Sequence, residues 1–203
     1  MKTELFVVDI NYHKEITSIT LPLLEKYANK IGAKFTIITD QKFTTMHPSY
    51  EKMQIYELGK DNDFSLIIDS DMIIKPEMYN VIDLIPNDGY HIGCWESFYW
   101  DGLYNNRGID VGIASNFLII PNACLELLKP LDKSEDFEKY CDRPAYVNEY
   151  CISLNRQRMG YKLAGFQLPG SRDVLFKHLN ITTDHINVIE AVNIAKKFCK
   201  GKI

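Results

Sequence analysis

The sequence has little cysteine, no excess of positive charge and no long apolar run. Its five cysteines include no Cys-x-x-Cys pair, which argues against a disulfide framework and a structural zinc site. A formal net charge of −4 argues against nucleic acid or an anionic membrane as the main partner. The apolar runs are too short for a membrane span, and Met1-Lys2-Thr3-Glu4 lacks a signal-peptide core. We therefore expect free thiols and a cytoplasmic location.

The composition is ordinary for a globular protein, with 46% apolar and 25% charged residues in a chain of 203. The first part predicts strands at 5–10, 34–40 and 64–69, and helices at 16–31 and 50–58. The second part predicts strands at 90–95, 113–120 and 161–168, and helices at 123–129, 147–159 and 186–199. This order predicts one α/β domain over residues 1–203, with a mixed, mainly parallel central sheet and helices on both faces.

The triplet Asp69-Ser70-Asp71 directly follows the most apolar predicted strand, residues 64–68. In an extended chain Asp69 and Asp71 point to the same side, because alternate residues share a face. Two such charges about 6 Å apart repel by roughly 3 kcal/mol at an effective dielectric constant near 20. A bound cation relieves that repulsion, and oxygen ligands suit Mg²⁺ or Mn²⁺. The triplet therefore predicts a metal site that holds the phosphate oxygens of a diphosphate-bearing substrate.

Further candidates follow predicted strands at the same edge, where open α/β sheets bind their ligands. Tyr12 can stack on a base, while Asp9 and Asp40 can accept hydrogen bonds from a ribose or a base. Asp40 can equally be a turn residue. Lys52 lies on the helix before the acidic triplet, where its ammonium can reach a diphosphate or can simply be solvated.

The segments around the triplet resemble a known family. About the first 75 residues resemble the nucleotide-binding half of GT-A-fold glycosyltransferases, in particular family 8 and its relatives. That family places a helix with a basic residue before a run of the form LDxDxxV, and residues 50–58 and 66–74 are similar to it. Residues 112–120 resemble the family's NSGVFLI strand. The sequence departs from the family at Tyr150, where glutamine is usual, and has no Gly-x-x-Lys-Pro-Trp after His178.

The resemblance implies a Rossmann-like GT-A fold, with about residues 1–75 binding the nucleotide and about 76–203 the acceptor. It implies that Asp71 binds Mn²⁺ or Mg²⁺ and that Asp69 meets the metal or the ribose of the donor. Phe176-Lys177-His178 resembles the segment whose histidine completes the metal site, so His178 is the candidate third ligand, with His185 as its alternative. Lys177 is the alternative to Lys52 as the lysine that reaches the diphosphate.

The same resemblance adds residues that face the donor. Asn148-Glu149-Tyr150 resembles the pair of an acidic residue and a glutamine that opens a late helix, so Glu149 is a candidate catalytic residue beside the donor sugar, although an acidic first turn also suits the helix dipole. Ser70, Ser115 and Asn116 are candidate donor contacts within the matching segments. The implied reaction moves a sugar from a nucleotide-sugar donor, a UDP-sugar in this interpretation, to a hydroxyl acceptor, and family 8 favours retention.

The loop at 96–110 carries several aromatic residues and is the candidate acceptor wall, with a partner surface or core packing as its alternatives. An inverting enzyme would need a carboxylate base there, and Glu96, Asp101 and Asp110 are the candidates. The last helix is amphipathic and lysine-rich; we expect it to pack on the core, with membrane attachment as the alternative.

Two other functions compete with sugar transfer. An aspartyl-phosphate phosphatase also uses Asp-x-Asp, but normally on its first strand and with a later acidic pair, whereas this triplet follows the third predicted strand. The other is a non-catalytic module that binds a sugar nucleotide or a carbohydrate. The chain can also be one piece of a larger protein.

Overall fold

The computed structural model describes residues 1–10, 13–75, 77–86, 88–95, 108–132, 144–166, 176–179 and 188–200, with only the backbone of 95, 166 and 176–178. The described strands are β1 (Thr3–Val8), β2 (Lys34–Ile38), β3 (Phe64–Ile68), β4 (Met72–Ile74), β5 (His91–Trp95), β6 (Phe117–Pro121), β7 (Lys162–Phe166) and β8 (Phe176–His178). The described α-helices are α1 (Lys14–Lys30), α2 (Ile55–Leu58), α3 (Val147–Met159) and α4 (Val188–Cys199). Short 3₁₀ helices cover Pro48–Gln54, Val81–Leu84, Asn122–Leu128 and Pro144–Tyr146.

Six strands form one sheet in the order β2-β1-β3-β6-β5-β7. β1 is parallel to both β2 and β3, and β5 is parallel to β7. β6 is antiparallel to its neighbours β3 and β5, so it alone reverses the direction within this sheet. The mixed, mainly parallel sheet predicted from the sequence is confirmed. β4, which directly follows the acidic triplet, forms a separate antiparallel pair with β8.

Both faces of the sheet are covered. Along β3, Ile67 packs into one core with α3, whereas Leu66 and Ile68 pack into a second core with α1. All five residues of β3 are buried, which explains why this segment is apolar at every position except Ser65 rather than alternating. Because β3 lies between β1 and β6 in the sheet, its carboxyl end lies near the middle of the sheet.

Three predicted elements differ from the structure. The predicted helix at 50–58 begins as a 3₁₀ helix at Pro48 and becomes α-helical only at Ile55. His47 is the N-cap of the 3₁₀ helix, and its side chain accepts a hydrogen bond from Ser49 N–H. The predicted strand at 113–120 is regular only from Phe117, because helix α3 provides hydrogen-bond partners for the preceding backbone. The predicted helix at 123–129 is the 3₁₀ helix Asn122–Leu128.

Helices α3 and α4 follow their predictions closely. α3 has the predicted bounds and ends at Gly160, whose φ of 68° suits glycine. α4 buries Ala191, Ala195 and Phe198 in a small core, and Lys196 and Lys197 are exposed, as expected for a helix that packs on the core. Within the described ranges, no helix has the length and apolarity that a membrane crossing requires. The four described cysteines are free thiols: Cys94, Cys124, Cys151 and Cys199.

Neighbouring side chains leave no room for a Cβ atom at Gly93 on β5. A Cβ there would meet the Ile85 side chain and lie 2.9 Å from Ile119 Cβ on β6. We predict that Gly93→Ala lowers the free energy of unfolding by about 1–3 kcal/mol through overpacking. The matched control is Gly165→Ala on the adjacent β7, where a Cβ would have no heavy atom within 4 Å. Urea denaturation of both variants tests this, and equal stabilities would contradict the packing described.

Candidate active site

The acidic triplet forms a tight turn. Met72 N–H donates to the Asp69 carbonyl at 3.0 Å, so residues 69–72 close a four-residue turn between β3 and β4. The prediction that the triplet continues as extended chain is wrong, because the β3 ladder stops at Ile68 and aspartate favours the first position of a turn. The two carboxylates are therefore placed by the turn and not by strand alternation.

Neighbouring elements hold the Asp69–Met72 turn in place. Asp69 N–H donates to the Asn116 carbonyl at 2.9 Å. The Thr20 hydroxyl of α1 donates to the Ser70 carbonyl at 2.5 Å. Ser70 is buried, and its backbone rather than its side chain makes this described contact.

The second aspartate is joined to the C-terminal part of the chain. Asp71 is only 3% exposed, and its carbonyl accepts from Leu179 N–H at 3.2 Å. In the β4–β8 pair His178 lies opposite Met72, so the backbone of His178 is adjacent to the acidic turn. The imidazole of His178 lies outside the described atoms, as do His185 and the side chain of Lys177, so metal ligation by a histidine stays a prediction.

Lys52 provides a positive charge beside the turn. Its ammonium is 2.5 Å from Asp69 Oδ1 and donates to Ser115 Oγ at 2.9 Å and to the Ser115 carbonyl at 3.1 Å. These three acceptors match the three N–H groups of an ammonium. The side chain is 5% exposed in Lys52 and 24% exposed in Asp69, so the pair is buried on one side and open on the other. Lys52 therefore lies beside Asp69, and its contact with a diphosphate stays a prediction.

Ser115 links this ion pair to Glu149. Ser115 N–H donates to Glu149 Oε1 at 3.0 Å, and Asn148 Nδ2 donates to Ser115 Oγ at 2.6 Å. Burial raises the pKa of the Glu149 carboxyl from 4.5 to about 7; the Ser115 N–H and Lys52 counteract this rise, and Asp69 adds to it. A carboxyl with a pKa near neutrality can accept or release a proton at physiological pH. The structure thus places four predicted site residues, Asp69, Lys52, Ser115 and Glu149, in one connected network.

The residues predicted on the nucleotide side are less completely described. Asp9 follows β1, and its N–H donates to the Ile38 carbonyl at 3.0 Å. Burial raises the pKa of Asp9, and Lys14 counteracts the rise. Asp40 is exposed after β2. Because β1, β2 and β3 are parallel, Asp9 and Asp40 are at the same edge of the sheet as Asp69. Tyr12 lies outside the described residues.

Sequence reasoning missed Glu51, the neighbour of Lys52. Its side chain is fully buried, and its carboxylate accepts from Phe43 N–H at 2.7 Å, Lys42 N–H at 3.1 Å and Gln54 Nε2 at 2.7 Å. Gln54 Nε2 is also 2.7 Å from the Asp40 carbonyl. The 3₁₀ helix therefore fixes the loop after β2 and positions Lys52. A single glutamate in a polar segment gives no signal of this role.

A row of side chains on α3 was also missed, although its spacing was visible. Three residues at intervals of four accept backbone N–H groups: Glu149 from Ser115 at 3.0 Å, Ser153 from Ile113 at 2.9 Å and Gln157 from Asp110 at 2.9 Å. Residues four apart share a helix face. This face provides hydrogen-bond acceptors for the backbone N–H groups of Asp110, Ile113 and Ser115.

The acceptor-side predictions are tested at one residue only. Asp110 forms an ion pair with Arg156 of α3. Burial raises the pKa of Asp110, but the hydrogen bond and charge of Arg156 outweigh it and hold the pKa below its usual range. An arginine-paired carboxylate is a poor general base. Glu96, Asp101 and the aromatic residues at 98–104 lie outside the described residues.

Loss of the Lys52 charge should leave an acidic cluster without its partner. We predict that Lys52→Met lowers the free energy of unfolding by about 2–4 kcal/mol. Removing the lysine leaves the largely buried Asp69 carboxylate without the charge that compensates its loss of hydration. The control is Lys60→Met, whose partner Glu57 and own side chain are 64% and 52% exposed. We expect the control to change stability by less than about 0.5 kcal/mol in urea denaturation. Equal effects in both variants would contradict the buried ion pair.

The raised pKa of Glu149 predicts a pH-dependent stability. In the folded protein this carboxyl has a pKa of about 7, against an ordinary value of 4.5. Its contribution to the free energy of unfolding is therefore full below pH 4.5 and is lost as the pH rises through 7. Glu149→Gln removes this titration. We predict that the wild type loses up to about 3 kcal/mol relative to the variant over this range, at about 1.4 kcal/mol per pKa unit.

Urea denaturation at a series of pH values measures the Glu149→Gln difference. Glu57→Gln, at a side chain that is 64% exposed, is the control for loss of a carboxylate. A difference between wild type and Glu149→Gln that stays constant with pH would be inconsistent with a titrating Glu149.

Comparison with known proteins gives a structural match only. No protein-family model matches the sequence, and no curated protein matches it. The structure is similar to that of a glycosyltransferase involved in the glycosylation of the major capsid of PBCV-1, with a TM-score of 0.64 and 15% identity over 95% of this chain and 98% of that chain. A197 from STIV gives a TM-score of 0.48 and 17% identity over 82% of each chain. The chain therefore shares its mixed α/β fold with a glycosyltransferase.

Proposed function

We propose that this protein transfers a sugar from a nucleotide-sugar donor to a hydroxyl acceptor, with Mn²⁺ or Mg²⁺ bound at Asp69 and Asp71. The observation that carries the proposal is the Asp69–Met72 turn at the carboxyl end of β3, in a fold shared with a glycosyltransferase. Ligands of open α/β sheets bind at this edge. The proposal therefore rests on position in the fold and on the chemistry of the acidic pair together.

The residues present fit a hard divalent metal. Carboxylate oxygens are the ligands that Mg²⁺ and Mn²⁺ prefer, and Mg²⁺ usually takes only one or two carboxylates and completes its shell with water and phosphate oxygens. The Asp69–Met72 turn offers two such carboxylates; within the described residues, no group of three or more His, Cys, Asp or Glu side chains is placed to hold a metal ion. When bound, the metal would offset the charge on the departing nucleoside diphosphate.

The remaining residues take roles around the donor. Asp9 and Asp40 face the nucleoside at the ends of β1 and β2, with Tyr12 as the proposed stacking residue, and the donor is a UDP-sugar in this proposal. Lys52 holds the Asp69 carboxylate and adds positive potential near the diphosphate. Ser115 and Asn116 line the β6 side of the turn. No nucleic-acid or membrane partner is part of the proposal.

Glu149 and Asp110 support retention in this proposal. Glu149 is joined to the ion pair through Ser115, and we assign it to the donor side of the network on the basis of that contact. Asp110 is held by Arg156 and is unsuited to deprotonate an acceptor. A mechanism in which a phosphate oxygen of the leaving group takes the acceptor proton needs no such base. We therefore propose retention of configuration.

Donor hydrolysis tests the function. We expect slow, Mn²⁺-dependent release of nucleoside diphosphate from one member of a nucleotide-sugar panel. Asp71→Asn should lower that rate by about 100-fold or more, because electrostatic stabilisation of the leaving diphosphate is lost. The matched control is Asp61→Asn in the other Asp-x-Asp triplet of the chain, Asp61-Asn62-Asp63. This triplet directly precedes β3 and so lies at the opposite end of that strand. We expect the control to retain full activity.

The same panel, extended with simple phosphomonoesters, separates the competing functions. Binding of a sugar nucleotide without turnover would indicate a non-catalytic module. Release of phosphate from simple phosphomonoesters would indicate the aspartyl-phosphate phosphatase. Equal loss in Asp71→Asn and Asp61→Asn would contradict the assignment of the metal to the Asp69–Met72 turn.

A further inference from the structure

The interior of α1 contains a polar contact with the acidic turn. Thr20 is fully buried in the middle of this helix. Its hydroxyl donates to the Ser70 carbonyl at 2.5 Å and also lies 3.3 Å from the Ile16 carbonyl of its own helix. A hydroxyl has one proton to donate, and the shorter contact goes to the turn rather than back to the helix. The hydrogen bond joins residues 50 positions apart in the sequence.

The Ser70 carbonyl has a particular place in the turn. It belongs to the peptide between Ser70 and Asp71, which is the central peptide of the turn formed by residues 69–72. The two common turn types, I and II, differ by a flip of this central peptide. A hydrogen bond to its carbonyl therefore selects one of the two orientations.

The orientation of this peptide affects Asp71. Because the peptide is planar and trans, fixing the Ser70 carbonyl also fixes the direction of Asp71 N–H and of the bond to Asp71 Cα. The contacts at the two ends of the turn, Asp69 N–H to Asn116 and Leu179 N–H to Asp71, do not involve the Ser70 carbonyl. Thr20 is thus a described residue whose hydrogen bond orients the centre of the turn.

We infer that Thr20 is a positioning residue for the metal site: its hydroxyl holds the central peptide of the Asp69–Met72 turn and thereby the direction of the Asp71 side chain. The inference rests on the proposed function, since it concerns the metal assigned to Asp69 and Asp71. Outer partners that orient metal ligands change metal affinity when they are removed, typically 10- to 100-fold. Thr20 does this from α1, which packs on one face of the sheet.

Three variants separate positioning from packing. Thr20→Val keeps the shape of the side chain but removes the hydroxyl, and Thr20→Ser keeps the hydroxyl but removes a methyl group. Thr17→Val is the matched control, at another buried threonine of α1 that is 5% exposed. Electron paramagnetic resonance of free Mn²⁺, with and without UDP, gives the dissociation constant without any turnover. Circular dichroism checks that each variant is folded.

We expect Thr20→Val to weaken Mn²⁺ binding by about 10-fold or more. Thr20→Ser and Thr17→Val should stay within about 3-fold of the wild type, well below the effect of losing an outer partner. If Thr20→Val does not fold, Thr20→Ala removes the same hydroxyl and carries the same expectation.

Two results overturn the inference in distinguishable ways. Wild-type affinity in Thr20→Val, or equal weakening in Thr20→Ser, would overturn the positioning role while Mn²⁺ binding by the wild type leaves the proposed function standing. Failure of the wild type to bind Mn²⁺ with or without UDP would overturn the metal site and the inference together.

Discussion

The ion pair between Lys52 and Asp69 is the interaction on which the candidate site depends. A buried strand that ends in two aspartates concentrates negative charge at the middle of a sheet, and the fold places an ammonium 2.5 Å from the first of them. Burial of a lysine costs several kcal/mol unless its donors are satisfied. Here Asp69 and two oxygen atoms of Ser115 satisfy them. The acidic turn is thereby partly neutralised by the protein itself, and Asp69 still remains partly exposed.

This ion pair also organises the surrounding elements. The 3₁₀ helix that carries Lys52 holds the loop after β2 through Glu51. Ser115 connects Lys52 to α3, whose side chains at 149, 153 and 157 support segment 110–116. The 3₁₀ helix and α3, which pack into one core on the same face of the sheet, thus converge on one turn. Such convergence keeps the geometry of the turn in place, which is the arrangement that the proposed electrostatic catalysis would require.

Much of the fold could be predicted from local signals. The apolar run 64–68 identified β3 because a strand buried on both faces is continuously apolar, and Gly160 marked the end of α3 because it takes a positive φ. The position of Lys52 followed from the order of elements. The turn at 69–72 did not, because alternation of side chains holds only while the strand ladder continues, and Met72 N–H closes a turn instead. The irregular backbone before Phe117 was hidden for a similar reason, since its partners come from a helix distant in sequence.

The assignment of a metal to the acidic turn is tested most directly by anomalous diffraction. Crystals grown with Mn²⁺ and UDP would be measured on both sides of the manganese absorption edge. The account predicts one anomalous peak within coordination distance of Asp71, about 2.0–2.3 Å from a carboxylate oxygen, with the diphosphate on its open side. A diphosphate bound without manganese, or a manganese peak remote from Asp69 and Asp71, would contradict it.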